Sequence, residues 1–499
     1  MWWKNTVFLV SFTLVAVIIC FGLVSPEQFE ALSAIIHEGI LNHFSWGYTV
    51  APFIFLVFSL LLALSKYGKI KLGKDHEKPQ YSYFAWFSML FAAGMGIGLI
   101  FWGVSEPLIH YSNPPAGVPD ASPEAASLAM RYAFFHWGLQ PWAIYIVMSL
   151  AIAYFCFRRG MPPLVSSALY PLIGERIYGI IGYTVDILAV FAVVFGIATS
   201  LGLGTMQISS GLAYVFPFIP DALMTWLGIV VVVTILYMIS ALRGLDRGIQ
   251  VLSRANIALA AILLLAMLII GPTTFILNIL TTTTGEYFSS LLRMSLSSNP
   301  FEGYEWTKKW TLFFWATWIS WSPFVGLFVA SISRGRTIRE FVLGALLVPA
   351  FLTFVWFAVF GGAAFELEIN QGLDIAATTA DNISTGLFNV FQHYPLSFLL
   401  TGIALLLLAI FFITSADSAT LVLAMLTSKG DLNPPASRKI IWGVVQSTVA
   451  IILLAAGGLE ALRKMAISSA LPFTIVMLFL CYSIWKGVTY EFRHEKDVM

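Results

Sequence analysis

Long apolar runs, separated by short polar segments, follow one another along nearly the whole chain. Each run holds about 18 residues or more, the length at which an α-helix crosses the hydrocarbon core of a bilayer. The pattern predicts an all-α integral membrane protein with 12 transmembrane helices. The predicted helices cover residues 6–24, 46–65, 83–104, 130–156, 178–206, 222–241, 251–271, 310–332, 341–363, 397–426, 440–457 and 465–485.

One apolar segment, residues 275–296, fits this pattern poorly. Its apolar positions lose helical spacing across the Thr-Thr-Thr-Thr-Gly stretch at 281–285. This irregularity predicts two short pieces that lie at the membrane interface instead of one helix.

Positive charge is distributed unevenly between the two sets of loops. Lysine and arginine are concentrated after the second, fourth, sixth, eighth and tenth predicted helices, and the opposite loops hold few. Cytoplasmic loops of membrane proteins are enriched in these residues. We therefore expect a multi-pass protein of the cell's inner (plasma) membrane, surrounded by lipid, with both termini in the cytoplasm.

Composition agrees with this class and excludes others. Only 11% of the 499 residues are charged, and the net charge of +1 provides no basic surface for nucleic acid. Cys20, Cys156 and Cys481 lie in apolar runs without metal-ligand spacing, which favours packing roles. No nucleophile elbow, phosphate-binding loop or zinc motif occurs, so we expect neither an enzyme nor an ATP-driven pump, and no cofactor.

Two predicted helices carry residues that interrupt helical structure. Residues 91–99 read F-A-A-G-M-G-I-G-L, with three glycines, and residues 320–326 read S-W-S-P-F-V-G, with Pro323. A break inside a bilayer is tolerated only where it is buried in protein or lines a cavity. Interrupted helices at matching places in two halves indicate the binding site of a transporter.

The positions of these breaks divide the chain into two repeats. Helices 3–7 and helices 8–12 are units of five, so the second enters the membrane from the opposite side, as in an inverted repeat. We predict two N-terminal helices with a loop at 1–82 and a first repeat at 83–272. An outer interfacial segment at 273–309, a second repeat at 310–486 and a short cytoplasmic tail at 487–499 follow.

Aromatic residues gather beside both predicted breaks. The rings on the fourth predicted helix are Trp137, Trp142 and Tyr145, and those on the eighth are Trp315, Trp318 and Trp321. Ring faces hold a quaternary ammonium group, which has no hydrogen to donate. The alternative is that these tryptophans are interfacial anchors. Their position beside the breaks favours a cage for a methylated ammonium.

Polar residues inside the helices allow several interpretations. Thr414 and Ser415 offer hard oxygen atoms to sodium, or bond back to their own helix. Asp186 and Asp417 either relay a proton or join two helices by a hydrogen bond. Unwound glycine segments expose amides that can hold a carboxylate.

Three further polar residues lie toward the outer ends of the third and fourth helices. Glu106 and Arg131 could pair there and steady the outer mouth. His136 has no second histidine or cysteine at ligand spacing, so we interpret it as a packed, neutral side chain.

Taken together, these motifs resemble the betaine/choline/carnitine transporter family, which has the LeuT-like 5+5 inverted-repeat fold. The similarity extends along the whole chain. It is carried by G-M-G-I-G-L at 94–99, H-W-G-L-Q-P-W-A-I-Y at 136–145, W-I-S-W-S-P-F-V-G at 318–326, I-S-R-G-R-T at 332–337 and F-I-T-S-A-D-S at 412–418.

The resemblance implies roles for individual residues and a homotrimeric assembly. The implied aromatic cage is Trp137, Trp142, Tyr145, Trp318 and Trp321, with further substrate contacts at Gly94, Met95, Gly96, Gly98 and Thr317. One implied sodium site comprises Ala92, Met95, Phe411, Thr414 and Ser415, and a second comprises Thr199, Ser200 and Phe324. Glycine at 98 is similar to sodium-coupled betaine carriers, whereas choline-type members often have aspartate there.

The sequence departs from the family pattern in two places. Betaine carriers commonly read W-W-I-S-W, but the first position here is Thr317. Long charged tails are absent, so we expect transport without strong tail-based osmotic activation. We expect sodium-coupled uptake of a zwitterionic compatible solute such as glycine betaine. Alternatives are uptake of choline, ectoine, carnitine or a sulfonium compound, sodium-independent exchange, or a channel or membrane sensor.

Overall fold

The computed structural model describes residues 5–94, 96–243, 246–298, 300–301 and 304–496, and these residues are mostly helical. The α-helices in chain order are α1 (Thr6–Val24), α2 (Pro26–Leu64), α3 (Tyr83–Gly94), α4 (Ile97–Ser112), α5 (Pro123–Trp137), α6 (Leu139–Ile152), α7 (Tyr170–Ile173), α8 (Ile180–Val215), α9 (Leu223–Arg243), α10 (Asp246–Ile270), α11 (Thr273–Ser295), α12 (Tyr304–Lys309), α13 (Thr311–Ile332), α14 (Ile338–Phe365), α15 (Ile375–Asp381), α16 (Gly386–Phe391), α17 (Ser397–Leu426) and α18 (Ala436–Lys496).

Many of these helices are long and apolar enough to cross a membrane. Among the described residues there are 10 such helices, or 11 if the bent pair α3 and α4 forms one span. This confirms an all-α, multi-pass membrane protein. The predicted count of 12 stays a prediction, because α18 covers both of the last two predicted helices.

A kink divides α18 where two glycines leave helical geometry. Gly457 and Gly458 lie inside its 61 residues with non-helical backbone angles. A straight helix of this length would extend roughly 90 Å, about three times the hydrocarbon thickness of a bilayer. The kink lies at the end of the predicted helix 440–457 and before the predicted helix 465–485.

Two predicted helices, 6–24 and 397–426, have the bounds of α1 and α17. The others shift at their ends, and the largest difference is at α2. This helix begins at Pro26, about half of its length before the predicted start at residue 46. Polar residues in this first part hid the helix from a search for apolar runs.

The glycine-rich break is confirmed. Helix α3 ends at Gly94, α4 begins at Ile97, and their axes differ in direction by 67°. Met95, within the break, lies outside the described residues.

The predicted break at Pro323 is wrong, because α13 continues through it as an α-helix. Proline lacks the N–H that would bond the carbonyl four residues earlier, that of Ile319. The hydroxyl of Ser322 instead donates to the Ile319 oxygen at 2.7 Å. A neighbouring side chain thus satisfies the carbonyl that proline frees, and the helix has no need to unwind.

A break that was not predicted separates α5 from α6 at Gly138. Polar side chains from other helices contact the chain on both sides of it. The hydroxyl of Thr353 lies 2.9 Å from the Trp137 carbonyl oxygen, and the Tyr287 hydroxyl accepts a hydrogen bond from the Leu139 amide at 3.1 Å. The break allows the Trp137 and Trp142 rings to leave the chain from two different helices.

The outer segment is one 23-residue helix, α11, so the prediction of two short pieces is wrong. Its buried positions include Ile276, Thr283, Tyr287 and Met294, at intervals of seven, four and seven residues. This spacing is one helical face. Thr283 is part of that face, and α11 packs against α5 and α14. Thr283, which belongs to the stretch that resembled a break, is therefore a buried position on this helical face.

At the centre of the bundle lies α13, which packs against α6, α8 and α18. Almost all of its side chains are buried. At its end, α13 contacts α3, where the Trp86 indole donates to the Ser333 hydroxyl at 2.9 Å. The guanidinium of Arg336 lies 4.0 Å from the centre of the same ring. One end of the broken helix is therefore fixed to the end of α13.

Candidate functional site

A narrow cavity lies between α13 and the broken helix α3–α4. We refer to it as the aromatic cavity. Many predicted residues line it, namely Gly94, Gly96, Gly98, Trp137, Ser200, Thr317, Trp318 and Trp321. The sequence interpretation missed four others, which are Trp102, Leu203, Phe313 and Phe314. Of these, Trp102 follows the glycine-rich break by one helical turn, a spacing that could have identified it.

Three tryptophans of the cavity have their indole N–H groups bonded to the protein. Trp137 donates to the Glu106 carboxylate at 2.7 Å, and Trp318 donates to the His136 carbonyl oxygen at 2.9 Å. Trp321 donates to the Gly196 carbonyl oxygen at 3.0 Å. Because the N–H edges are occupied by the protein, the ring faces remain for a ligand.

Trp142 and Tyr145, two further residues of the predicted cage, pack against this cluster but do not line the aromatic cavity. The rings of Trp137, Trp318, Tyr145 and Trp142 form a chain of edge-to-face contacts, with successive centroids 4.8, 6.1 and 5.7 Å apart. Both Trp142 and Tyr145 are buried. Within the described part of the chain, neither the Trp142 N–H nor the Tyr145 hydroxyl has a hydrogen-bond partner.

The glycines of the break allow two of these rings to approach the backbone. A methyl group on Gly94 would lie 2.3 Å from an atom of the Trp142 ring, and one on Gly98 would lie 2.9 Å from the Trp137 ring. At Gly96 the nearest atoms would be 3.7 Å away, an ordinary contact. Gly94 and Gly98 therefore have a steric role in the cage that the sequence interpretation did not include.

A second cavity, which we call the hydroxyl cavity, brings together part of the first predicted sodium site. Ala92, Thr414 and Ser415 line it, and so do Phe324 and Asn256. The Thr414 hydroxyl donates to the Ile410 carbonyl oxygen at 2.9 Å, as expected for a threonine in a membrane helix. The Thr414 hydroxyl oxygen accepts a hydrogen bond from Asn256 Nδ2 at 3.5 Å, which leaves one lone pair for a cation. Phe411 is buried but does not line the cavity.

The second predicted sodium site is less compact. Phe324 lines the hydroxyl cavity, whereas Ser200 lines the aromatic cavity. The Thr199 hydroxyl donates to the Phe195 carbonyl oxygen at 2.9 Å, within its own helix. Phe324 and Ser200 thus line different cavities, and this site stays a prediction.

Behind Trp137 lies a buried polar cluster of Glu106, His110 and His136. Each side chain offers one nitrogen or oxygen atom that could bind a metal ion, and these three atoms lie within 4.8 Å of one another. His136 Nδ1 is 2.6 Å from Glu106 Oε1, and His136 Nε2 is 2.9 Å from the Thr311 hydroxyl. His136 is therefore part of a network and not an isolated histidine. A glutamate and a histidine four residues apart on α4 were the signal that the sequence contained.

Other polar predictions have definite outcomes. The predicted pair of Glu106 and Arg131 is wrong, because Glu106 is fully buried and the Arg131 guanidinium instead faces Glu286 at 4.0 Å. Asp417 accepts a hydrogen bond from the Ser240 hydroxyl at 2.6 Å, which joins α17 to α9. Asp186 accepts from both the amide and the hydroxyl of Ser166. Both aspartates therefore form hydrogen bonds between segments, which was the alternative to a proton relay.

Known proteins are similar to this chain along its length. The family model described as "BCCT, betaine/carnitine/choline family transporter" matches residues 6–493. The glycine betaine transporter OpuD of Bacillus subtilis is 46% identical over 99% of this chain and 96% of its own. The ectoine/hydroxyectoine transporter of Virgibacillus pantothenticus is 44% identical over 99% and 98%. A probable glycine betaine transporter of Desulfitobacterium hafniense is 43% identical over 97% of each. The chain therefore belongs to the betaine/carnitine/choline transporter family, whose members are transporters and not enzymes.

Proposed function

We propose that this protein takes up glycine betaine together with sodium, with both of its termini in the cytoplasm. One observation carries the substrate class. Three indoles of the aromatic cavity donate their N–H groups to the protein. We infer that the faces of these rings border the space, and a trimethylammonium group is attracted to such faces without needing a hydrogen bond.

The carboxylate of the solute would bind on the side of Trp142 and Tyr145. A buried polar group without a partner costs free energy, which a ligand acceptor removes when it binds. The Trp142 N–H and the Tyr145 hydroxyl are two such donors among the described residues. A zwitterion therefore finds ring faces for its cation and two donors for its anion.

Sodium would bind in the hydroxyl cavity, beside the break. Thr414 and Ser415 supply the hard oxygen atoms that this ion prefers, and Ala92 lies just before the break and can offer its carbonyl oxygen. An ion there would hold α3 and α17 together. The cage then receives the solute, and movement of one helix group against the other exposes the site to the other side of the membrane.

Reconstituted proteoliposomes test both parts of the proposal. We expect radiolabelled glycine betaine to accumulate above the outside concentration only when sodium is higher outside, and not when potassium replaces it. Accumulation without sodium would instead indicate exchange, and simple equilibration would indicate a channel. The absence of any betaine transport would refute the substrate assignment.

Ectoine is the second candidate, and Thr317 is the observation that favours it. Thr317 lines the aromatic cavity and is one of the two departures from the family pattern that the sequence resembles. One relative at 44% identity is an ectoine/hydroxyectoine transporter. Competition of unlabelled ectoine, choline, carnitine and proline against labelled betaine distinguishes the candidates. Stronger inhibition by ectoine than by betaine itself would make ectoine the preferred solute.

A further inference from the structure

The carboxylate of Glu106 is buried among helices, and its partners are an indole and two imidazoles. Its side chain is fully buried, and such a group inside a membrane is costly unless it has a function and satisfied oxygens. One oxygen accepts the Trp137 indole N–H at 2.7 Å. The other is 2.6 Å from His136 Nδ1 and 3.3 Å from His110 Nε2.

The same cluster also determines where a second ring of the cage lies. The His136 carbonyl oxygen accepts the Trp318 indole N–H at 2.9 Å. His136 is itself held on its far side, where Nε2 lies 2.9 Å from the Thr311 hydroxyl. A single buried network therefore holds the N–H edges of two rings whose centroids are 4.8 Å apart.

We propose that Glu106 is a positioning residue of the substrate cage, which sets solute affinity by holding the Trp137 ring with its face toward the cavity. This inference rests on the proposed function. The N–H edge of an indole carries partial positive charge and repels a cation, whereas the face attracts it. A hydrogen bond to the carboxylate keeps that edge away from the solute and polarises the ring in the favourable direction.

The first test compares two replacements of Glu106 in sodium-driven betaine uptake. Glu106→Leu removes the acceptor, and we expect the KM for betaine to rise about tenfold or more while kcat changes little. In Glu106→Gln, the amide oxygen still accepts from Trp137 and the amide nitrogen can donate to His136. We therefore expect Glu106→Gln to restore a nearly normal KM.

The second test asks whether Glu106 acts through the N–H of Trp137. Trp137→Phe keeps an aromatic ring and removes that N–H. If the proposal is correct, adding Glu106→Leu to Trp137→Phe raises KM no further, because the bond is already absent. Independent, multiplicative effects of the two changes would overturn it.

Two controls separate this proposal from misfolding and from the function itself. Glu305, whose side chain is 86% exposed, supplies the matched variant Glu305→Leu, which should leave KM unchanged. Thermal unfolding in detergent identifies any variant that does not fold. If Glu106→Leu does not fold, the KM of Glu106→Gln alone tests the proposal. A Glu106→Gln variant as poor as Glu106→Leu would refute the role of the hydrogen bond. Absence of betaine uptake by the unaltered protein would refute the proposed function instead.

Discussion

The two sides of the predicted aromatic cage differ in whether their N–H and O–H groups have hydrogen-bond partners. On one side, the indole N–H groups of Trp137 and Trp318 are bonded to Glu106 and to the His136 backbone. On the other side, the Trp142 N–H and the Tyr145 hydroxyl have no partner in the part of the chain that the structure describes. The contrast suggests one side for a cation without donors and another for an anion that needs them. Similar residue types can thus serve opposite charges.

Removing a ring from the bonded side should have the largest effect. Trp318 contacts the rings of both Trp137 and Tyr145. Trp318→Leu removes a desolvated cation–π contact, for which about 2 kcal/mol corresponds to a roughly 30-fold higher KM for betaine. Initial uptake rates over a range of betaine concentrations measure it.

A surface tryptophan provides the control for this change. Trp46 is 63% exposed, and Trp46→Leu should leave uptake unaltered. An unchanged KM in a folded Trp318→Leu protein would contradict the assignment of the cage.

A graded series of glycine replacements should disturb the two sides in turn. In Gly94→Ala the new methyl would lie 2.3 Å from Trp142, and in Gly98→Ala 2.9 Å from Trp137, so one ring or the backbone must move. Overpacking of this kind costs roughly 1–3 kcal/mol. We expect betaine affinity to fall most for Gly94→Ala and less for Gly98→Ala.

Gly96→Ala is the matched control within the same break, because its methyl meets nothing closer than 3.7 Å. We expect the betaine affinity of Gly96→Ala, measured by calorimetry, to be close to that of the unaltered protein. If all three alanines weaken binding equally, backbone flexibility and not ring contact explains the glycines.

Removing one donor from the other side should discriminate between solutes. Trp142→Phe keeps a ring but loses the N–H, so betaine should bind about tenfold more weakly. Choline, which has the ammonium group without a carboxylate, should be unaffected. The ratio of inhibition constants for the two solutes measures this effect. Equal losses for both would remove the distinction between the two sides.

The smallest effect is expected at Thr317. Its hydroxyl donates to the Phe313 carbonyl oxygen at 2.8 Å, so its own hydrogen is already used. Thr317→Val keeps the shape, and we expect less than about a twofold change in the KM for betaine. Weaker inhibition by ectoine in this variant, with betaine unchanged, would assign the hydroxyl to ectoine recognition.

The sequence predicted features that depend on local patterns. The apolar runs located the helices, and three close glycines located the break between α3 and α4. The break at Pro323 was mispredicted because the sequence does not show the rotamer of Ser322. In that rotamer the Ser322 hydroxyl donates to the Ile319 carbonyl oxygen, which proline leaves without its usual donor. The helix α11 was missed because Thr283 reads as polar until its burial against neighbouring helices is known.

The features of the site that the sequence could not predict are contacts between residues far apart along the chain. The motif at 136–145 identified Trp137 and Trp142, but nothing in it shows that Glu106, about 30 residues earlier, bonds the Trp137 indole. The same applies to Arg463, which lies between the predicted helices at 440–457 and 465–485. It is 5% exposed, and its guanidinium lies 4.5 Å from the centre of the Trp310 ring.

The contact between α3 and the end of α13 has a mechanical consequence. The Trp86 indole bonds Ser333, and Arg336 lies over the same ring, so we expect these two helix ends to move together. Any rocking of the bundle would then carry both. We expect the elbow between α3 and α4 to be the joint that bends in a transport cycle, while the Trp86 end keeps its distance from the tryptophan-bearing helix.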